Sequence, residues 1–222
     1  MRLLLARHGQ STWNSVRRFQ GSADVPLSDL GRAQAKALGE AVRRFRVTRA
    51  YVSPLRRAVE TAEIALAGTG TPLVTIDGLR ALSLGRWEGC TVAEIRAQDG
   101  DPYGAWLRAP VDCPPPGGER LDAVCARMLR VVDEIAHAHP NGDDVLVIAH
   151  GGIISVYACH LLGCSFNALW RLRVDNASLT VVSPPRVVTL NDTAHLSDGL
   201  QGSHLAHPQI ATHGGTTDAP AP

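Results

Sequence analysis

Leu3-Leu4-Leu5-Ala6, followed directly by Arg7-His8-Gly9, is the stretch on which the reading of this chain turns. Four consecutive apolar residues bounded by charge read as a short strand buried on both faces. The glycine that follows lets the backbone turn and approach a ligand closely. A second copy of the pattern lies far downstream, where the apolar run from Val145 to Ala149 is followed by His150-Gly151-Gly152. Both imidazoles are therefore expected to follow buried strands.

Between these two landmarks, strand and helix signals alternate. Ser28 has the chemistry of an N-cap, with Leu38, Ala41, Val42 and Phe45 at helical spacing behind it. Ala50 to Val52 form a second short strand, and Ser53-Pro54 supply a cap and first-turn proline for a helix through Thr61 to about Ala67. Leu73 to Ile76 are a third strand. Thr91 with Glu94 fits a capping box. The segment from Asp112 to Gly118 holds three prolines and two glycines and excludes regular structure. It leads into a long helix with Leu121, Val124, Met128, Val131, Val132 and Ile135 on one face, stopped at Pro140-Asn141-Gly142. A helix over Ile153 to Leu162 and β-rich stretches at Leu179–Val182 and Val187–Leu190 complete the order.

This alternation predicts an α/β fold, a three-layer sandwich in which helices cover both faces of a mainly parallel sheet. Ligands in such sheets sit at the strand carboxyl ends, which places Arg7-His8-Gly9 and His150-Gly151-Gly152 on one edge. An arginine, two imidazoles and a helix N-terminus gathered there are the parts of an anion site. One domain is expected over residues 1–196. Residues 197–222, rich in Gly, Ser, Thr, His and Pro, read as a disordered tail.

Composition narrows the function. The 222 residues carry 22 basic and 21 acidic side chains, a formal charge of +1, which gives no reason to expect a nucleic-acid or anionic-membrane surface. A small-molecule partner is the expectation. Arg7 and His8 interrupt the N-terminal apolar run too early for a signal-peptide core, and no stretch reaches the roughly 20 apolar residues of a membrane span. Five cysteines form neither a paired framework nor a C-x-x-C pair, so a reducing, cytoplasmic setting is the simplest reading.

The ordered set of motifs resembles the histidine phosphatase superfamily in its phosphoglycerate-mutase-like branch. It consists of Arg7-His8-Gly9-Gln10-Ser11-Thr12-Trp13-Asn14, Phe19-Gln20-Gly21, Pro26-Leu27-Ser28-x-x-Gly31, Ser53-Pro54-Leu55-Arg56-Arg57-Ala58-x-x-Thr61-Ala62, Gly117-Gly118-Glu119 and Ala149-His150-Gly151-Gly152. Asp175-Asn176-Ala177-Ser178 and Leu190-Asn191-Asp192-Thr193 are similar to its cofactor-independent phosphatase members, and the match runs in register over roughly residues 2 to 196.

The resemblance implies a phosphoglycerate-mutase-like fold and a metal-independent phosphomonoesterase with no cofactor, acting on a small phosphorylated metabolite. It implies that His8 attacks phosphorus and becomes phosphohistidine, and that Arg7, Arg57 and His150 hold the equatorial oxygens. Asn14, Gln20, Gly21 and Gly151 would add phosphate contacts. A homodimer through the C-terminal β-rich region is conceivable by the same analogy.

One position departs from the family pattern. Four residues before Gly85, where members carry the Glu that protonates the leaving oxygen, this chain has Ala81. Loss of a general acid costs about 10²- to 10⁴-fold in rate, most for poor leaving groups. Three readings stay open: an introduced Glu-to-Ala change that leaves a ligand trap, a variant in which another group supplies the proton, and a phosphate binder with little turnover. Glu88 is the nearest substitute acid, and its plainer role is a structural partner in the Gly85-x-Trp87-Glu88-Gly89 turn. A phosphoglycerate mutase is the rival enzyme.

Other residues have plainer readings. His137 and His139 are assigned to exposure or helix-dipole complementation, not metal binding. His160 is read as helix surface or core edge, and His195, His204, His207 and His213 as tail. Arg56 should face solvent. Trp87, Trp106 and Trp170 are expected to pack, with Trp106 and Arg108 placed where the family has its substrate-covering insertion.

Overall fold

A computed structural model describes residues 1–201. Six strands form one sheet: β1 (Arg2–Arg7), β2 (Val47–Val52), β3 (Leu73–Thr75), β4 (Asp144–Ala149), β5 (Leu179–Ser183) and β6 (Arg186–Asp192). Their spatial order is β3-β2-β4-β1-β5-β6. The first four in chain order run parallel, whereas β5 lies antiparallel to β1 and β6 antiparallel to β5. The helices are α1 (Thr12–Ser15), α2 (Asp29–Val42), α3 (Arg56–Ala65), α4 (Val92–Arg96), α5 (Pro102–Arg108), α6 (Leu121–Ala138) and α7 (Gly151–Leu161).

Strand alternation divides the apolar residues between two cores. Leu3 and Leu5 of β1, with Val145, Val147 and Ala149 of β4, pack among Val124, Met128 and Ile135 of α6 and Ile153, Ile154 and Tyr157 of α7. Leu4 and Ala6, with Leu146 and Ile148, face the other way onto Leu38 and Val42 of α2 and Ala58 and Ala62 of α3. A continuous apolar run with this period of two is what a strand covered on both faces requires. The expected three-layer α/β sandwich is the observed one.

Caps explain most helix starts. Ser28 Oγ accepts from Gly31 N–H at 3.1 Å ahead of α2, and Thr91 and Glu94 form the reciprocal box that starts α4. The start of α3 departs from expectation. Its N-cap is Leu55, not Ser53. Ser53 Oγ accepts from Leu55 N–H at 3.3 Å and lies 2.8 Å from His150 Nε2, so the serine belongs to the site at the sheet edge. Elements without a counterpart in the sequence expectations include α1, a 3₁₀ turn over Phe166–Arg171, and α5, whose start is nonetheless marked by the Asp101 cap and Pro102 at its first position.

The chain beyond Leu196 continues in ordered contact as far as it is described. A 3₁₀ turn spans Asp198–Leu200, and Gln34 Nε2 donates to the Leu200 carbonyl at 2.8 Å. Residues 202–222, which hold His204, His207, His213 and most of the expected tail, lie outside the described residues. His195 is not tail: it is part-buried, and its Nε2 lies 2.9 Å from the Ala177 carbonyl. His139 is not exposed either. It is buried between Tyr51 Oη at 3.1 Å and Asp143 Oδ2 at 2.8 Å, because the chain turns back at Pro140 to enter β4.

Candidate active site

Parallel register carries the two histidine motifs to the same point. Arg7 pairs with Ala149 across β1 and β4, and His8 N–H donates to the Ala149 carbonyl at 3.0 Å. The rings of His8 and His150 consequently lie with centroids 5.0 Å apart. Both are buried, at 3% and 4% exposure.

A carbonyl partner sets the tautomer of the His8 ring. His8 Nδ1–H donates to the Gly9 carbonyl at 2.7 Å, and since that oxygen can only accept, the lone pair of a neutral ring resides on Nε2. For His150, Nε2 lies 2.8 Å from Ser53 Oγ, a hydroxyl that can serve either tautomer; when Oγ–H donates, the ring proton is on Nδ1. That Nδ1 is buried with no partner among the described residues.

Two guanidinium groups flank the rings. Arg57, 1% exposed, projects from the first turn of α3 and donates from Nη1 to the Ala23 carbonyl at 2.7 Å and from Nη2 to the Gly21 carbonyl at 2.9 Å. Arg7 donates from Nη1 to the Val174 carbonyl at 2.6 Å. Nε of each is buried without a partner among the described residues. Buried cations ordinarily carry compensating acceptors or anions, so donors left over in this number mark a place for an anion.

Electrostatics favour neutral imidazoles. Burial first, then the positive charges of Arg57 and Arg7, push His8 well below the ordinary histidine value. His150 is lowered well below that value by burial, then by Arg57, His8 and Arg7. Burial pulls Arg7 and Arg57 down to about 10, which leaves both charged at neutral pH. The folded histidines bind fewer protons than the unfolded ones below the unfolded value near 6.5, so stability falls as pH drops through that point. His195, lowered by burial, acts in the same direction. The denaturant midpoint is expected to decline between about pH 6.5 and 5, above the range where carboxylates titrate; a flat midpoint across that window would contradict neutral buried rings.

The surrounding loop is braced in detail. Ser11 N–H donates to Asn14 Oδ1 and Asn14 N–H to Ser11 Oγ. Asn176 Nδ2 donates to the His8 carbonyl and to Asn14 Oδ1, so what Asn14 offers the pocket is its own Nδ2–H donors. Thr61 Oγ1 accepts Gly9 N–H and donates to the Arg57 carbonyl, tying α3 to the histidine loop. A Cβ on Gly151 would sit 3.3 Å from the Arg7 guanidinium, so the glycine lets that group run against the start of α7.

A pocket of about 200 Å³ opens over these groups and is lined by every candidate, namely Arg7, His8, Asn14, Gln20, Gly21, Arg57, Ala81, His150 and Gly151. Ser53, expected as a helix cap, and Thr61 and Asn176, which entered only as members of the family motifs, also border the site. Ser53 was legible in principle, since it follows a strand at the same edge as the histidines. Arg56 faces solvent and pairs with Glu60 at 2.6 Å. Trp87 is core, Trp106 and Trp170 reach the pocket, and Arg108 is absent from its described lining.

Glu88 has the structural role. It accepts from Leu84 N–H at 2.9 Å, Ser22 N–H at 3.1 Å and Ser83 Oγ at 3.1 Å, and a Cβ on Gly21 would strike its Oε1. It does not line the pocket. No cluster of three or more metal-type ligands occurs among the described residues, and no described helix is long and apolar enough to cross a membrane.

An α/β sheet carrying two neutral imidazoles and two guanidinium groups at its carboxyl edge has the chemistry of a phosphate-handling protein. Residues 3–192 match the sequence profile of the histidine phosphatase superfamily, branch 1. Phosphoserine phosphatase 1 of Hydrogenobacter thermophilus is 30% identical over 210 residues, covering 93% of this chain and 99% of that one. The probable phosphoglycerate mutase GpmB of Erwinia tasmaniensis is 31% identical, over 89% of this chain and 96% of its own. A solved mycobacterial glucosyl-3-phosphoglycerate phosphatase, in complex with VO3, superposes with a TM-score of 0.80 at 34% identity, covering 86% of this chain and 99% of that one. The chain belongs to the histidine phosphatase superfamily.

Proposed function

We propose that this protein is a metal-independent phosphomonoesterase that transfers the phosphoryl group of a small phosphorylated metabolite to His8 Nε2 and then to water. One observation carries the reading: His8 Nδ1–H is fixed on the Gly9 carbonyl, which aims a neutral Nε2 lone pair into a pocket bordered by Arg7, Arg57 and His150. In the first step a bond forms from Nε2 to phosphorus while the bond to the leaving oxygen breaks. The guanidinium groups and the His150 Nδ1–H donor offset the charge gathered on the equatorial oxygens, and cost no reorganisation because they are already in place. In the second step water attacks phosphorus, the P–N bond breaks with its electron pair returning to Nε2, and the proton of the attacking water passes to solvent. The relatives whose names denote phosphatases support hydrolysis.

Phosphate release from an activated aryl phosphate is expected to persist undiminished in excess chelator and to show no stimulation by a bisphosphorylated metabolite. Loss of activity on chelation would sink metal independence. Stimulation by the bisphosphate would make the protein a mutase.

A further inference from the structure

The pocket beyond the phosphate groups has a second chemical character. Phe19, Tyr103, Trp106 and Trp170 line it together with Leu82 and Leu107. The rings form one cluster: Trp106 lies 4.4 Å from Trp170, 5.9 Å from Phe19 and 6.1 Å from Tyr103, centroid to centroid. Such a wall suits a flat apolar group. The volume of about 200 Å³ is the right order for one ring plus a phosphate, since a cavity of roughly 150 Å³ takes up benzene.

Among the described residues, the same pocket has no carboxyl side chain where the family places its acid. Ala81 stands on its lining, and Asp175 is the one acidic side chain among the described lining residues. Asp175 Oδ2 accepts from Arg173 Nε at 2.7 Å and from Asn191 Nδ2 at 3.0 Å, an arrangement that suits an acceptor and not a general acid. With no free carboxylic acid among the described lining residues to protonate it, a leaving oxygen departs as an anion. Phenols ionise near 10 and alkanols closer to water at about 15.7, so a phenolate departs unassisted far more readily than an alkoxide.

Resting on the phosphatase reading, we propose that the substrate class is the small-molecule aryl phosphate monoester: a single phenolic ring held against Trp106 and Trp170, with its phosphate on His8. The aromatic wall selects the ring, and the missing acid restricts turnover to leaving groups stable as anions. Phosphorus passes from the phenolic oxygen to His8 Nε2, the oxygen takes the electron pair and leaves as phenolate, and solvent protonates it after release.

The test is kcat/KM of the full chain for phenyl phosphates of graded phenol acidity, beside phosphoserine, glycerol phosphate and acetyl phosphate. A steep decline with leaving-group basicity is expected, with the alkyl esters slower by about 10²- to 10⁴-fold, the span of a missing general acid. Ala81→Glu should raise alkyl-ester turnover by about 10² and flatten the decline. Acetyl phosphate, activated but without a ring, should show a KM at least about tenfold above phenyl phosphate, the scale of a lost aromatic contact. A flat dependence in the unaltered chain overturns the proposal, as does acetyl phosphate binding as tightly as phenyl phosphate. So does alkyl turnover that vanishes in Asp175→Asn, which would identify an acid. A phosphotyrosyl peptide turned over tenfold better than phenyl phosphate would replace the small molecule by a protein substrate. The phosphatase reading itself fails separately, by absence of phosphate release from even the most activated aryl ester.

Discussion

Replacing His8 by alanine is expected to lower kcat/KM for an activated aryl phosphate by about 10⁴-fold or more, the scale of losing a nucleophile from a site whose members act as a unit. The binding groups survive the change. Arg57 stays anchored on the Ala23 and Gly21 carbonyls, Arg7 on Val174, and His150 on Ser53, none of which depends on the His8 ring. Inhibition by inorganic phosphate should thus persist in His8→Ala while turnover disappears. A variant retaining a tenth of the parent activity would mean that the nucleophile is another group or water.

Arg57→Met is the second large effect, with an expected loss of about 10²- to 10³-fold in kcat/KM, comparable to removing one preorganised donor from a transition-state site. The guanidinium has three consequences in one side chain. It supplies charge opposite the phosphate, it braces the loop through Gly21 and Ala23, and it is the largest charge effect holding His8 neutral. Its removal should raise the titration of His8, so the acid limb of the rate profile is expected to move to higher pH in Arg57→Met. Arg57→Lys should not restore the parent, because a single ammonium cannot reach both carbonyls in the fork geometry. If Arg57→Met lost less than tenfold and kept the parent profile, the cation would be structural only.

The residues that were readable in the sequence share a physical reason. His8 and His150 each follow an apolar run long enough to be a strand covered on both faces, and the rule that ligands gather at strand carboxyl ends brings them together without knowledge of the register. Arg57 entered only through the resemblance to a family, since nothing in its local pattern separates it from Arg56. The structure separates them by the roughly 100° between successive helical residues: Arg57 points under the Gly21 loop and Arg56 pairs with Glu60 at the surface.

Ser53 was misread because Ser-Pro is a strong local cap signal, and a tertiary partner, His150, overrode it. His139 was misread for a related reason. Its partners Tyr51 and Asp143 come from a neighbouring strand and the turn into β4, which helix-end reasoning does not reach. The aromatic wall was least legible of all, because Phe19, Trp106 and Trp170 lie far apart in the chain and only the sheet and the short helix α5 bring them together.

The most direct test of the account is to mix the protein with an activated aryl phosphate, quench within the first turnover and look for protein-bound phosphate. A phosphoryl group on His8 Nε2, labile in acid, stable in base and absent from His8→Ala, is the predicted result. Rapid release of phosphate with no protein-bound phosphoryl group in either chain would contradict it, and would mean that water attacks the substrate directly.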